Sequence, residues 1–356
     1  MLLWNQQWTR KELMERVGAL SQLGGITHME YADGKAKGVS VLHVRNAAGL
    51  EFDVFPDRGM DIVAASYKGK SLAWHSPVGI THPAYYDARD IQWIKTFPGG
   101  LLTTCGMYTA GFPCTDNGEN LGLHGAISNT PAERVTWDEK WEGDDCVLSI
   151  EGRIRETWVH GPNLLLRRTY TSALNGRTIS VRDSVENQGF KDSPLMHLYH
   201  LNFGFPLLTD KSRIYAPSGN VLGLNDHAKA SLDRWSEFES PTMGIQERVY
   251  FHEMKPDTKG NVTVVLVSDD AQKDFGVAIR YGARTFPHFV QWKMTGVNHF
   301  ALGLEPANCR VEGRVVEREA GRLRTLRPGE REDFAVDLQV LDGKAEVADA
   351  INASGH

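Results

Sequence analysis

Cysteine is scarce in this sequence, with 4 in 356 residues, at Cys105, Cys114, Cys146 and Cys309. Their spacing makes neither a zinc knuckle nor a CxxC redox pair, so a disulfide framework and a cysteine metal centre are set aside. Four reduced thiols fit a cytoplasmic protein. Positive charge is not in surplus either. Lys+Arg number 39 against 45 Asp+Glu, a net charge of −6, and no basic stripe offers itself to a phosphate backbone. No apolar run approaches the roughly 18 residues of a membrane span. The start MLLWNQQWTR lacks the basic n-region of a secretory signal. No fixed-period repeat, low-complexity segment or Ser/Pro-rich linker breaks the chain. These absences argue against nucleic acid and membrane as partners and leave a small neutral or mildly charged molecule. No metal and no cofactor is expected.

Turn formers are abundant, with 35 Gly and 15 Pro, and the aromatic residues (9 Trp, 10 Tyr, 14 Phe) exclude disorder over most of the chain. Thr9 and Glu12 form a T-x-x-E capping box, followed by Leu13, Met14, Val17 and Leu20 at helical spacing, with Gly24-Gly25 as the stop. Beyond it, period-two segments dominate. Strands are expected at 39–44, 51–55, 147–155, 164–171, 178–185, 196–203, 262–267, 275–281, 289–294, 299–305 and 334–340. Asn175-Gly176 between two of them marks a hairpin. The pattern predicts an all-β chain: a helical appendage over 1–25, one large antiparallel sandwich domain over 26–345, and a tail over 346–356. Two loop-rich stretches, 75–132 and 217–247, are dense in Gly, polar and aromatic residues, which is where a rigid sandwich carries function.

Four segments could carry chemistry. In Met196–Gly204, strand alternation puts His197, Tyr199, Leu201 and Phe203 on one largely apolar face. Leu198, His200, Asn202 and Gly204 share the other, more polar face, which favours His200 over His197 as a working imidazole. On a strand the two rings diverge, which argues against an HxxH metal pair. In Asn298–Cys309, His299, Ala301, Gly303 and Glu305 form a face with room for a ligand beside a carboxylate, and Pro306 keeps Glu305 extended. In His288–Gly296, Gln291 and Lys293 share a face and Trp292 lies on the other. In Leu121–Gly125, His124 sits between glycines that permit close approach. Each has a bland reading as well: a satisfied core histidine, a solvated strand-end glutamate, an ordinary two-faced strand, an incidental loop histidine.

Taken in order, GLHG, a His-x-Asn strand, VQWKMTG and GLEPANC resemble the aldose 1-epimerase (galactose mutarotase-like) family. PDRGMDI, FPGGLLTTCG, GLHGAISN and LYHLNFGFPLL are similar to its uncharacterised aldose-epimerase-like branch. The resemblance spans essentially the whole chain. It implies a galactose mutarotase-like β-supersandwich with a sugar cleft on a concave face. His124 and Gln291 would match the substrate-binding His and Gln, and Glu305 the catalytic base. Strict alignment places His197 as the general acid, whereas the strand-face argument favours His200; His200 is taken, with His197 as the alternate. Asn202 and Lys293 are further candidate substrate contacts. The family's first-loop Asn-Arg pair is missing, replaced by Phe97-Pro98-Gly99-Gly100 and Thr103-Thr104-Cys105. Arg58, Arg89 and Lys95 could stand in, and Arg89 is taken as a candidate contact.

The implied reaction interconverts the α and β anomers of a sugar by acid/base ring opening, with no cofactor. The base takes the anomeric hydroxyl proton and the acid protonates the ring oxygen. Hydrogen bonds of about 2.6–3.2 Å on each side would hold the two side chains roughly 5–7 Å apart. Two alternatives stand beside it. A glycoside hydrolase or lyase-like enzyme would pair Glu305 with Asp116, Glu119, Asp226 or Glu247. A non-catalytic carbohydrate-binding protein would bind sugar without turnover. Oligomeric state is open, and a homodimer is compatible with the sequence.

Overall fold

Each segment expected as a strand lies in an antiparallel sheet of the computed structural model, which describes residues 1–355. The largest sheet has eight strands in the order Glu133–Glu142, Asp145–Thr157, Asn163–Ala173, Thr178–Asn187, Arg331–Asp342, Phe275–Gly282, Asn261–Val267 and Arg213–Tyr215. Asp145–Thr157 alternates buried and open positions along its length, which is why its period-two signal was legible. The Asn175-Gly176 hairpin forms between the expected strands, with Gly176 N–H donating to the Ala173 carbonyl at 2.9 Å. A five-stranded sheet runs from Gly25–Glu30 to Lys70–Ser71.

The site rests on a seven-stranded sheet. Its strands are β1 (Thr103–Met107), β2 (Ser193–Phe203), β3 (Ser218–Gly223), β4 (Arg248–Met254), β5 (His288–Gly296), β6 (His299–Ala307) and β7 (Arg324–Leu326). The order is β3-β4-β5-β6-β2-β7, and β1 also pairs with β2. Tyr199, Leu201, Phe203, Leu302 and Leu304 turn inward and meet Ile150, Leu166, Tyr170 and Val181 of the eight-stranded sheet in the main core. The opposite face of the seven-stranded sheet is covered as well. Leu198, Val249, Phe251, Val290 and Val311 form a second apolar cluster with Trp93 and Leu123 from the 75–132 loops. A strand buried on both faces can carry polar groups into a dry site, and β2 is such a strand.

A charged network lies within the main core. Arg168 makes paired hydrogen bonds to Asp183 at 2.9 and 2.6 Å and reaches Asp61 at 3.2 Å. Tyr199 donates to the same Asp183 at 2.5 Å. Burial alone would raise the Asp183 carboxyl, but Arg168 outweighs it and the net direction is down. The PDRGMDI segment supplies Asp61 to this network. Its Arg58 donates to the Thr81 and Thr96 carbonyls at 2.8 and 2.7 Å, which pins both ends of the loop that later roofs the site.

Two expectations at the chain ends change. The Thr9–Glu12 capping box is present, with Glu12 N–H donating to Thr9 Oγ1 at 3.2 Å and Thr9 N–H to Glu12 Oε2 at 2.8 Å. The helix spans only Arg10–Met14; a single 3₁₀ turn follows at Leu20–Gln22. Gly18 interrupts the pattern, and so short a segment takes its stability from Leu13 packing rather than from propensity. The segment set apart as a tail falls largely in a helix, Lys344–Ala353, whose Val347, Ala350 and Ile351 pack on Val265, Val267, Ala278 and Leu341. No helix among the described residues is long and apolar enough to cross a membrane. The four cysteines are free.

Candidate active site

Strand register sets the floor of the site. Val290 pairs with Glu305 and Trp292 with Gly303 across β5 and β6. Val249 of β4 pairs with Trp292. These residues share the outward face, and His200 of β2 joins them beside β1. The 75–132 loops close over that face. The 3₁₀ turn Gln92–Thr96 brings in Trp93 and Ile94, with Phe97 just after it. Between floor and roof lies a cavity of about 300 Å³, and its lining includes His124, His200, Glu247 and Glu305 among mainly apolar side chains.

His124 is held in an unusual backbone state. Its φ is +58° and that of Gly125 is +73°. A non-glycine residue stays there only when its surroundings force it. His124 N–H donates to the Gly111 carbonyl at 2.9 Å, and its own carbonyl accepts from Gly106 N–H at 3.0 Å. Tyr86 O–H donates to the Gly125 carbonyl at 3.0 Å. A Cβ on Gly125 would sit 2.4 Å from the Thr109 carbonyl oxygen, so glycine is required there.

His200 and Glu305 meet at the base of the cavity. His200 Nε2 stands 3.2 Å from Glu305 Oε1, closer than the expected 5–7 Å. No hydrogen bond joins them, and Glu305 Oε1, His200 Nδ1 and His124 Nδ1 are all buried without a hydrogen-bond partner. Buried polar atoms are rarely left so, and three of them belong to side chains lining one cavity. Aromatic rings surround His200: Phe97 at 5.5 Å, Trp292 at 5.6 Å and His124 at 5.9 Å between centroids. Burial pushes the His200 imidazole down to about 3, helped by His124, and burial pushes His124 down to about 4. Burial, and secondarily Glu247, raises the Glu305 carboxyl well above its ordinary range. Burial thus works against the charged form of each group.

The other expected residues lie elsewhere. His197 faces the main core, 3.3 Å from Asp183 and 4.6 Å from the Phe334 ring, away from the cavity. Gln291 points to the opposite face of β5 from Trp292; its Oε1 accepts from His252 Nε2 at 3.0 Å and its Nε2 donates to the Trp235 carbonyl at 2.8 Å. Lys293, on that same inner face, is buried and donates to the Arg234 carbonyl at 3.2 Å and to the Glu237 carbonyl. Asn202 ties the roof to the floor, donating to the Gly100 and His200 carbonyls at 2.9 Å each. Arg89 is exposed and paired with Asp87 at 2.6 Å, and Lys95 is exposed. Asp116 and Glu119 are bound by Arg314, each at 2.7 Å, and Asp226 pairs with Lys229. Of the carboxylates considered as partners for Glu305, Glu247 alone lines the cavity, accepting from Trp292 Nε1 at 2.9 Å.

Sequence reasoning passed over Trp93, Phe112 and Val249, and named Phe97 only within the segment that replaces the Asn-Arg pair. Trp93 and Phe112 sit in the loops flagged as aromatic-rich, but nothing in their spacing singled them out. Val249 sits in RVYFHEM, a strand buried at its first five positions and so without a period to read. Among the described residues, no three His, Cys, Asp or Glu side chains are grouped as a metal site.

A family model described as a domain of unknown function, DUF4432, matches residues 36–340. The chain belongs to the DUF4432 family. A search of curated proteins gives no match. Among solved structures, the DUF4432 chain is similar to a Klebsiella pneumoniae protein provisionally named an aldose 1-epimerase, at 26% identity over 93% of this chain and 86% of that one, with a TM-score of 0.88. A galactose mutarotase-like protein from Clostridium acetobutylicum matches at 14% identity, covering 90% and 99% of the two chains, TM-score 0.61. A galactose 1-epimerase from Lactobacillus acidophilus matches at 14% identity, covering 90% and 99%, TM-score 0.57. The fold of this DUF4432 protein is the galactose mutarotase-like sandwich.

Proposed function

We propose that the protein is an aldose 1-epimerase that interconverts sugar anomers through His200 and Glu305. The observation that carries this reading is that both side chains line the base of one cavity that also holds His124. In an anomeric sugar the hydroxyl oxygen O1 and the ring oxygen O5 are bonded to one carbon, so a close pair of groups meets a close pair of oxygens. In the form that burial favours, Glu305 gives its proton to O5 while His200 takes the proton from O1. The C1–O5 bond breaks, C1=O1 forms, and the pair becomes carboxylate and imidazolium. After rotation about C1–C2, the imidazolium protonates O1, the carboxylate takes back the O5 proton, and the ring closes on the other face. The sequence-based assignment had Glu305 as base and His200 as acid. Burial of both groups favours the reverse starting roles, with the same number of protons shared between them.

Each transfer is worth about 10²–10⁴-fold in rate. Polarimetry on freshly dissolved aldoses tests the reading. Faster approach to equilibrium is expected with the protein, and Glu305→Gln should lower that acceleration at least 100-fold. No acceleration for any aldose, or full activity in Glu305→Gln, rejects it. A second reading has its own support, because Glu247 and Glu305 line one cavity and glycoside hydrolysis uses two carboxyl groups. Release of reducing ends from simple glycosides, lost in Glu247→Gln, would favour hydrolysis over anomerisation.

A further inference from the structure

We propose that the cavity takes an uncharged 6-deoxyhexopyranose and that carbon surfaces beside Glu305 receive the methyl group on C5. This deepens the anomerisation reading and rests on it for the sugar's orientation. If His200 and Glu305 serve O1 and O5, the substituents nearest the pair are those on C2 and C5. One further polar ring, His124, lies near His200, at 5.9 Å between centroids, and suffices for a hydroxyl on C2. The rest of the immediate surroundings is carbon: Phe97 and Trp292 flank the imidazole, and Val290 stands opposite Glu305 across the strand pair. The remaining carboxylate, Glu247, already accepts from Trp292.

Two properties of the sugar follow. No lysine or arginine lines the cavity. A uronate, a 6-phosphate or a 6-sulfonate would thus be desolvated beside two carboxyl groups with no counter-charge. A hydroxymethyl group on C5 would leave its hydroxyl facing carbon. A hydroxyl placed in an apolar pocket is disfavoured by about 10²-fold at most. A methyl group fills the same space without that loss.

Sugars that share a ring and differ only at C5 provide the test. D-galactose, D-fucose and L-arabinose carry hydroxymethyl, methyl and hydrogen there; so do D-glucose, D-quinovose and D-xylose; L-galactose, L-fucose and D-arabinose; and L-mannose, L-rhamnose and L-lyxose. Trp93 and Trp292 line the cavity, so tryptophan fluorescence reads binding without any need for turnover. In the series that binds best, the methyl sugar should bind about 10- to 100-fold tighter than the hydroxymethyl one. D-galacturonate and glucose 6-phosphate should not compete. The inference is overturned if the hydroxymethyl or hydrogen member binds as tightly as the methyl one, if a charged sugar competes, or if no member binds. Polarimetry on the same sugars separates the two proposals. A methyl preference without turnover sinks anomerisation alone, and turnover without that preference sinks this inference alone.

Discussion

His197 and His200 are three positions apart on one strand and occupy different worlds. His200 lines the cavity beside Glu305, whereas His197 is packed among Asp183, Tyr199 and Phe334. Their variants should part accordingly. His200→Asn should lower anomerisation by about 10²–10⁴-fold with little change in Tm. His197→Ala should cost about 2–5 kcal/mol of stability, through a core cavity and a weakened Asp183, while the protein that stays folded keeps its kcat. Thermal melts and polarimetry on both variants decide this, and a rate loss confined to His197→Ala would reverse the assignment. The choice between the two histidines was legible in the sequence, because strand alternation alone separates their faces. Gln291 shows where that logic stops. Alternation placed it correctly with Lys293 and opposite Trp292, but could not say which face was wet.

At the scale of elements, β6 positions its carboxylate through a small neighbour two residues before it. A Cβ on Gly303 would lie 2.4 Å from Glu305 Oε1 and 3.1 Å from both His200 Cε1 and Trp292 Cβ. The closest clash is with the end of a movable side chain, so Gly303→Ala should fold with a near-normal Tm. It should also push the carboxylate out of place, and a displacement near 1 Å can cost about 10²-fold in rate. Full activity in Gly303→Ala would mean that Glu305 has no fixed role. Strands with clean alternation, such as Asp145–Thr157, were plain in the sequence. Thr103–Met107 was not: all five residues are buried, small or sulfur-containing, and give no period. Glu133–Glu142 was missed because a solvated strand at the sheet's end carries charge in place of an apolar face.

Across the whole molecule, buried imidazoles govern acid stability. His124 and His252 are held down to about 4 and His200 to about 3 by burial, against an ordinary 6.5. Their folded values are depressed, so the unfolded chain binds more protons between about 4 and 6.5, and stability falls as pH falls through that window. Glu305 acts in the opposite sense: its folded value is raised, so its contribution is present at low pH and lost as pH rises past its folded value. His75, His197 and His288 are lowered by burial and act with the three imidazoles, while Asp61, raised to about 6, and Glu156 act with Glu305. The imidazoles predict a Tm that drops as pH falls from 6.5 toward 4, and Glu305 a shallower fall as pH rises; a Tm unchanged down to pH 4.5 would show that protons reach these rings in the folded state. The core network gives a second test. Arg168→Met leaves Asp183 and Asp61 buried without their cation and should cost about 3–5 kcal/mol. Urea melts of Arg168→Met against the unchanged protein measure it.

The sequence by itself determined the all-β architecture, the hairpin at Asn175-Gly176, and the order of the segments that carry His124, His200 and Glu305. Those features are written in local periodicity and turn chemistry, which act between near neighbours along the chain. Only the tertiary structure decided which strand faces were dry and which lined a cavity. The choice depends on the 75–132 loops folding back over the seven-stranded sheet, a contact between distant residues that leaves no period behind. The same closure set Gln291, Lys293, Asn202 and Arg89 outside the cavity lining and brought Trp93, Phe97 and Glu247 into it. It also buried His200 and Glu305 together, and burial, a property of the assembled molecule, is what shifts both titrations.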